Sequence, residues 1–321
     1  MSVIREIGGY FGLEAFSGEE YHKGLIGVNS GRNALLYVLK VRGVQKLYIP
    51  RFLCDSVSEL CKREVVEYEE YSIDKNFLPV FTKTLGKDEY LYVVNFYGQI
   101  SNEILCELHK QHKNIIFDNV QAFFQKPVTG IDTVYSCRKF FGVPDGGYVY
   151  TEKRLEEELL ADISKDRMKH ILGRFEETGT KYYGDFQAND ELFYDMPLRE
   201  MSALTRNILR GVDYELVRQR RNENYAVLEN ALASMNGLKL KTPNGPYCYP
   251  FYCKNGMDIK KQLAAQKIYV ATLWPNVLEL GGTLEKDYAE NILPIPCDQR
   301  YGAEEMKYIA STILKIVSQE T

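Results

Sequence analysis

Tyr135-Ser136-Cys137-Arg138-Lys139-Phe140-Phe141-Gly142-Val143-Pro144-Asp145-Gly146-Gly147-Tyr148 is the stretch on which the reading of this chain turns. A strand-like run from Ile131 to Ser136 leads in, and Tyr148-Val149-Tyr150 leads out as a second. Between them stand one lysine, a nearby serine and a turn built on Pro144, Gly146 and Gly147, residue types that supply the special φ angles of tight turns. An amine on such a loop has two readings. One is a solvated basic hairpin. The other is a nucleophile activated by its surroundings, whose usual partner is a cofactor aldehyde such as that of pyridoxal phosphate.

Working outward, Asn114-Ile115-Ile116-Phe117 runs directly into Asp118-Asn119-Val120-Gln121-Ala122. An acid at the carboxyl end of an apolar strand sits where open α/β sheets bind ligands, although Asp118 also suits the cap of a turn. Further upstream, Leu25 to Val28 is apolar. Asn29-Ser30-Gly31-Arg32-Asn33 follows, and then the helical pattern Ala34 to Lys40. Strand, small polar turn, helix points backbone N–H groups at an anion; Asn29 or Ser30 serves equally as a helix cap.

Lys46 to Ile49, Val65 to Tyr68 and Tyr90 to Tyr97 read as further strands, and Ser56 to Arg63 and Asn102 to His112 as helices. Alternation of this kind implies a largely parallel sheet. Glu152 to Asp166 reads as a charged, exposed helix, and Phe175 to Tyr194 as an aromatic loop near the site or a partner chain. Met201 to Leu232 is helical, as two helices or one bent near Gly211, and its cluster Arg218, Arg220 and Arg221 reads as a solvated face. Leu238 to Leu240, Tyr249 to Tyr252 and Tyr269-Val270 read as strands, with helices over Ile259 to Gln266 and Ala303 to Val317. The expected division is a large α/β domain over residues 1–210 and a small α+β domain over 211–321.

The bulk numbers fit this picture. A chain of 321 residues has ample length for a core, and a net charge of −4 gives no reason to expect nucleic acid. Seven cysteines form no C-x-x-C pair and the four histidines stand at no zinc spacing, so no metal is expected and the thiols read as reduced, in a cytoplasm. Met1 to Tyr10 lacks the order of a signal peptide, and no apolar run approaches the roughly 20 residues that cross a bilayer.

The ordered set of a Ser-Gly turn, a strand-end acid and a lysine resembles the fold-type I pyridoxal phosphate enzymes, and more closely the DegT/DnrJ/EryC1/StrS family of sugar-nucleotide aminotransferases. Asn29 to Leu35 is similar to the family's S-G-T-x-A-L turn, Asp118 to Ala122 to its D-A-A-Q-A, and Ser136 to Lys139 with Asp145-Gly146-Gly147 to its S-x-x-x-K-x-L-x-x-G-E-G-G, one residue shorter between serine and lysine. Ile292 to Pro296 and Ala303 to Met306 resemble its L-P-x-x-P/H run and last helix. The resemblance implies that Lys139 carries the cofactor as a Schiff base, Asp118 pairs with the pyridine nitrogen and Gln121 sits near the ring hydroxyl. It implies that Gly31, Arg32, Asn33 and Ser136 hold the phosphate. It also implies a homodimer that transfers an amino group, from L-glutamate in the family pattern, to a nucleotide-linked keto sugar in polysaccharide or amino-sugar biosynthesis.

The chain departs from the pattern in named places. Arg32 replaces a threonine and offers a guanidinium in exchange. Cys54 stands where the family has an aromatic ring over the cofactor, with Phe52 close by as the other candidate. Leu198 to Ser202 replaces N-x-R-M-S, whose asparagine reaches a neighbouring subunit's phosphate. Leu273-Trp274-Pro275 replaces H-Y-P. These changes leave a non-catalytic homologue as the alternative. The family's sugar dehydratases, which have histidine in place of the lysine, are disfavoured by Lys139.

Overall fold

Apolar runs bounded by turn residues become strands, and amphipathic runs between them become helices. The computed structural model describes residues 7–319; residues 1–6, on which part of the signal-peptide reading rests, lie outside it. Strand β1 (Ile26–Val28) feeds helix α1 (Gly31–Arg42), which Ser30 caps through its hydroxyl and Gly43 ends at φ 65°. Next come β2 (Lys46–Pro50), α2 (Asp55–Arg63), β3 (Glu67–Ile73), the short β4 (Pro79–Val80) and β5 (Glu89–Val94). Helix α3 (Asn102–Gln111), β6 (Ile115–Asp118), β7 (Asp132–Ser136) and β8 (Gly147–Tyr150) complete the first half.

The eight strands make one sheet in the order β1-β8-β7-β6-β5-β2-β3-β4. Neighbours from β3 across to β7 run parallel, while β1, β4 and β8 pair antiparallel. Pairing of Val94 with Asp118, and of Asp118 with Val134, brings the carboxyl ends of three central strands together. This is the mixed α/β, mostly parallel sheet that the alternation implied.

Helices α4 (Lys169–Glu176), α5 (Tyr183–Asp195), α6 (Ala203–Arg210) and α7 (Tyr214–Leu232) follow. Then come β9 (Tyr249–Tyr252), α8 (Gly256–Ala265), α9 (Leu284–Asn291), β10 (Ile292–Ile295) and α10 (Ala303–Gln319). Strands β9 and β10 pair antiparallel as a separate two-stranded sheet. A second apolar cluster, with Leu228, Phe251, Leu263, Leu293 and Ile313, lies around it.

Several expectations are corrected. Residues 152–164 form no helix, because their backbone pairs elsewhere: Glu200 donates to the Leu160 carbonyl and accepts from Asp162 N–H. The supposed loop over 175–194 is largely the helices α4 and α5. Residues 238–240 and 269–270 are not strands. Strand β3 starts at Glu67 because Val65 lies in the left-handed region, and β5 ends at Val94 because Tyr97 does so too. Arg221 is 1 % exposed, unlike Arg218 and Arg220, and is part of the interior.

His22 gives the fold a pH dependence. Its ring is buried against Phe123, Tyr135 and Tyr148, and burial pushes its pKa down to about 3, against a hydrogen bond with the Phe123 carbonyl. The unfolded chain binds this proton near pH 6.5 and the folded chain only near 3. The contribution is therefore whole above pH 6.5 and is lost as pH falls through that window, on the order of 3 kcal/mol by pH 4. Urea midpoints at pH 7 and pH 4 are expected to lie closer together in His22→Gln than in the wild type. Equal spacing would remove His22 from the account.

Candidate active site

The site lies where the start of α1, the end of β6 and the turn after β7 converge. A Cβ on Gly31 would stand 3.1 Å from that of Ser136 and 3.6 Å from Cγ1 of Val120, so only glycine lets α1 begin there without displacing its neighbours. On the other side, Gly147 passes so close to the Ser30 carbonyl that a Cβ would lie 2.6 Å from its oxygen, and Gly146 takes φ 112° and donates its N–H to the Asn29 carbonyl. Asp145, fully buried, accepts from the Ser202 N–H at 2.9 Å, the Ser202 hydroxyl at 2.7 Å and the Thr205 hydroxyl. The Asp145-Gly146-Gly147 motif thus locks the lysine turn to both α1 and α6.

Asp118 is 3 % exposed; its Oδ2 accepts from the Tyr92 hydroxyl at 2.6 Å and its Oδ1 from the Val120 N–H at 2.7 Å. The Val120 N–H contact is the turn cap that the sequence offered, at the carboxyl end of β6. Burial raises the Asp118 pKa, and the nearby Lys139 ammonium, Tyr92 and Val120 oppose the rise. Burial, then Asp118, pushes the Tyr92 phenol well up, so it stays a donor; Cys54 is close enough to add to the effect. A carboxylate kept here at the expense of desolvation is matched by a cationic partner.

Gln121 accepts from the Tyr97 N–H at 2.8 Å through Oε1, while its Nε2 is buried with no partner. Lys139 is half-buried, with Nζ 5.9 Å from the centre of the Tyr247 ring. Arg32 lies with its guanidinium 4.1 Å over the Tyr194 ring, and its Nε and Nη1 are buried without partners. Arg138 is held by Asp190 at 2.9 Å and lies over Phe193, as Arg167 does. Burial lowers the Arg138 pKa, Asp190 opposes this, and Arg32 and Arg167 are near enough to add to the fall. Positive charge is therefore gathered at the start of α1, and Arg32 is the member with unused donors.

Three expected site residues take definite places. Asn33 gives its N–H to the Ser30 hydroxyl and its side-chain NH2 to Asn29 Oδ1 and the Pro197 carbonyl, while its Oδ1 is buried with no partner among the described residues. Phe52, offered as a ring cover, is instead fully buried among Phe96, Trp274 and Tyr288. Cys54 precedes α2 with its Sγ 2.8 Å from the Ser56 hydroxyl. The segment replacing N-x-R-M-S is bound to this same chain, through Asn29 N–H to the Arg199 carbonyl and Met201 N–H to that of Gly27.

Sequence reasoning did not single out Tyr92, Tyr194 or Tyr247. Tyr92 is read only as a strand residue, and the other two come from distant segments that nothing local ties to Lys139.

These residues fit pyridoxal phosphate. The partnerless Gln121 amide suits a ring oxygen, Asp118 a protonated ring nitrogen, and the partnerless Arg32 guanidinium, with the N–H groups that open α1, a phosphate.

No protein-family model and no curated protein matches the chain. Solved structures do. DesV of S. venezuelae, in complex with a ketimine intermediate, is 18 % identical, with 90 % of this chain and 83 % of that one covered at a TM-score of 0.61. NtdA of Bacillus subtilis, with bound cofactor PMP, is 14 % identical over 92 % and 73 % at 0.65. DesI, in the presence of its TDP-sugar product, is 12 % identical over 90 % and 79 % at 0.62. The chain shares their fold, which is the fold-type I architecture expected from the sequence.

Proposed function

We propose that this chain is a pyridoxal phosphate-dependent aminotransferase of the DegT/DnrJ/EryC1/StrS type, moving an amino group from L-glutamate to a nucleotide-linked keto sugar. The observation that carries the reading is the buried Asp118 carboxylate at the carboxyl end of β6, near enough to Lys139 to feel its charge, with Gln121 three residues on and its buried Nε2 without a partner among the described residues. The structures of NtdA with PMP and DesI with a TDP-sugar support the choice of cofactor and acceptor.

Bound pyridoxal phosphate supplies an electron sink for the bonds at the amino donor's Cα. Lys139 Nζ would anchor it and, as a general base, would hold and move the proton at the amino donor's Cα. Asp118, held in place by Tyr92 and Val120, would pair with the ring nitrogen and favour its protonated form. Gln121 would donate to the ring oxygen, and Ser136, Arg32 and the opening turn of α1 would hold the phosphate. Cys54, whose charge acts on Tyr92, would be the candidate for the place beside the ring.

The working form is a homodimer in the cytoplasm, serving polysaccharide or amino-sugar synthesis. Exposed Leu172, Phe175, Tyr183, Phe186 and Leu192 on α4 and α5 support a subunit contact there. Among the described residues no helix is long and apolar enough to cross a membrane. A large unit to residue 210 and a small one from 211 complete the reading, supported by the separate apolar cluster around β9 and β10.

The test is the absorbance spectrum of the protein with pyridoxal phosphate, before and after L-glutamate. A band of lysine-bound cofactor that glutamate converts to the amine form is expected. No band would favour the non-catalytic homologue, and a band that glutamate leaves untouched would remove glutamate as donor.

Arg32 gives a narrower prediction. Losing charged hydrogen bonds to a phosphate costs about 1.5–3 kcal/mol, so Arg32→Ala is expected to weaken pyridoxal phosphate binding about 10- to 100-fold. Binding of phosphate-free pyridoxal should be unchanged. Equal losses for the two ligands in a titration would take Arg32 out of the phosphate site.

A further inference from the structure

A buried guanidinium needs carboxylates or a full set of acceptors. Arg221, on α7, is 1 % exposed and, among the described residues, has no carboxylate in hydrogen-bond contact. Asp298, the acid that acts on it, is itself chelated by Arg300 at 2.6 and 2.8 Å. What Arg221 binds is three main-chain carbonyls and one side-chain amide. Nη2 donates to the Phe140 carbonyl at 3.2 Å, and Nη1 donates to the Pro246 carbonyl at 2.8 Å and the Tyr247 carbonyl at 3.4 Å. Its Nε donates to Gln299 Oε1 at 2.8 Å, and Gln299 Nε2 donates to the same Phe140 carbonyl at 2.7 Å. The guanidinium also lies 4.5 Å from the centre of the Phe140 ring.

Phe140 is the residue after Lys139, and Tyr247 is the residue whose ring Lys139 Nζ faces. One buried cation therefore grips both the turn that carries the lysine and the segment that forms its opposite wall. We propose that Arg221, with Gln299, is the positioning pair for Lys139: it fixes the Phe140 carbonyl and the Pro246-Tyr247 backbone against each other and so aims the amine. The importance of that aim rests on reading Lys139 as the cofactor-anchoring residue; the aim itself does not.

The test uses the cofactor-free full chain. An amine-acylating ester is applied, and the labelling rate of each lysine is read by peptide mass spectrometry in the wild type, Arg221→Met, Arg221→Lys and Gln299→Leu. Freed from its tether, Lys139 is expected to label faster in Arg221→Met, by roughly tenfold for a loss of about 1.4 kcal/mol in the local stability of the turn, because the amine then reaches the reagent more of the time. Arg221→Lys, which keeps a charge and a donor, should restore part of the wild-type rate. The partly buried Lys46 and Lys260 should not change in any folded variant.

If Arg221→Met does not fold, Gln299→Leu and Arg221→Lys carry the test. Lys139 rates that stay at the wild-type value in them, or that rise only in step with Lys46 and Lys260, overturn the proposal. Pyridoxal phosphate spectra of the same proteins separate the two claims. Selective Lys139 labelling without any cofactor band keeps the positioning role and rejects the aminotransferase. A band lost in Lys139→Ala, with labelling unmoved in the variants, does the reverse.

Discussion

Lys139→Ala is expected to give a folded protein that no longer attaches pyridoxal phosphate covalently and turns over about ten-thousand-fold more slowly, the upper range for removing a positioned general base. Folding should survive because the amine lies over the Tyr247 ring and, among the described residues, takes part in no ion pair. The turn it stands on is held by other groups: the Phe140 carbonyl by Arg221 and Gln299, and Asp145 by Ser202 and Thr205. Melting temperature therefore separates loss of chemistry from loss of structure. A variant with near wild-type turnover would show that Lys139 is not the anchoring residue.

Asp118→Asn is expected to lower kcat about 100- to 1000-fold, the range for losing one preorganised electrostatic partner in a dry site. Asparagine keeps the shape of the side chain. Its oxygen still accepts from the Val120 N–H, and its amide faces the Tyr92 hydroxyl, whose oxygen accepts. What disappears is the negative charge, which burial disfavours and which a protonated ring nitrogen would repay in the proposed reading. Covalent attachment through Lys139 should persist, so the band should form while glutamate converts it slowly. Unimpaired turnover would mean that the ring nitrogen is not held by this carboxylate.

The parts legible in the sequence were those whose chemistry is local. An apolar run ending in Asp118 is a strand with its acid at the carboxyl end, whatever lies around it. Ser30 ahead of an amphipathic run announces a cap, and the structure shows both the cap and the α1 start that it leaves open. Gly146 and Gly147 read as a turn and serve as one, though their close approach to Asn29 and Ser30 belongs to the tertiary structure.

What was not legible depended on partners distant in sequence. Leu155 and Leu159, four apart, imitate a helix, yet the backbone of 160–162 pairs with Glu200. Phe52 and Cys54 are two residues apart and both plausible over a ring; only the aromatic cluster around Phe52 assigns it to the core. For Arg221 a signal was present. Residues 221, 224, 225, 228 and 232 recur at helical spacing and are the buried face of α7, so the arginine belonged with the interior set and not with Arg218 and Arg220.

The central claim is that Lys139 is the residue that bonds the cofactor in this site. The most direct measurement is borohydride reduction of the protein loaded with pyridoxal phosphate, followed by peptide mapping of the fixed adduct. The account predicts one adduct, on Lys139, which glutamate added before the reduction prevents. An adduct spread over exposed lysines, or fixed on any lysine but 139, would contradict it.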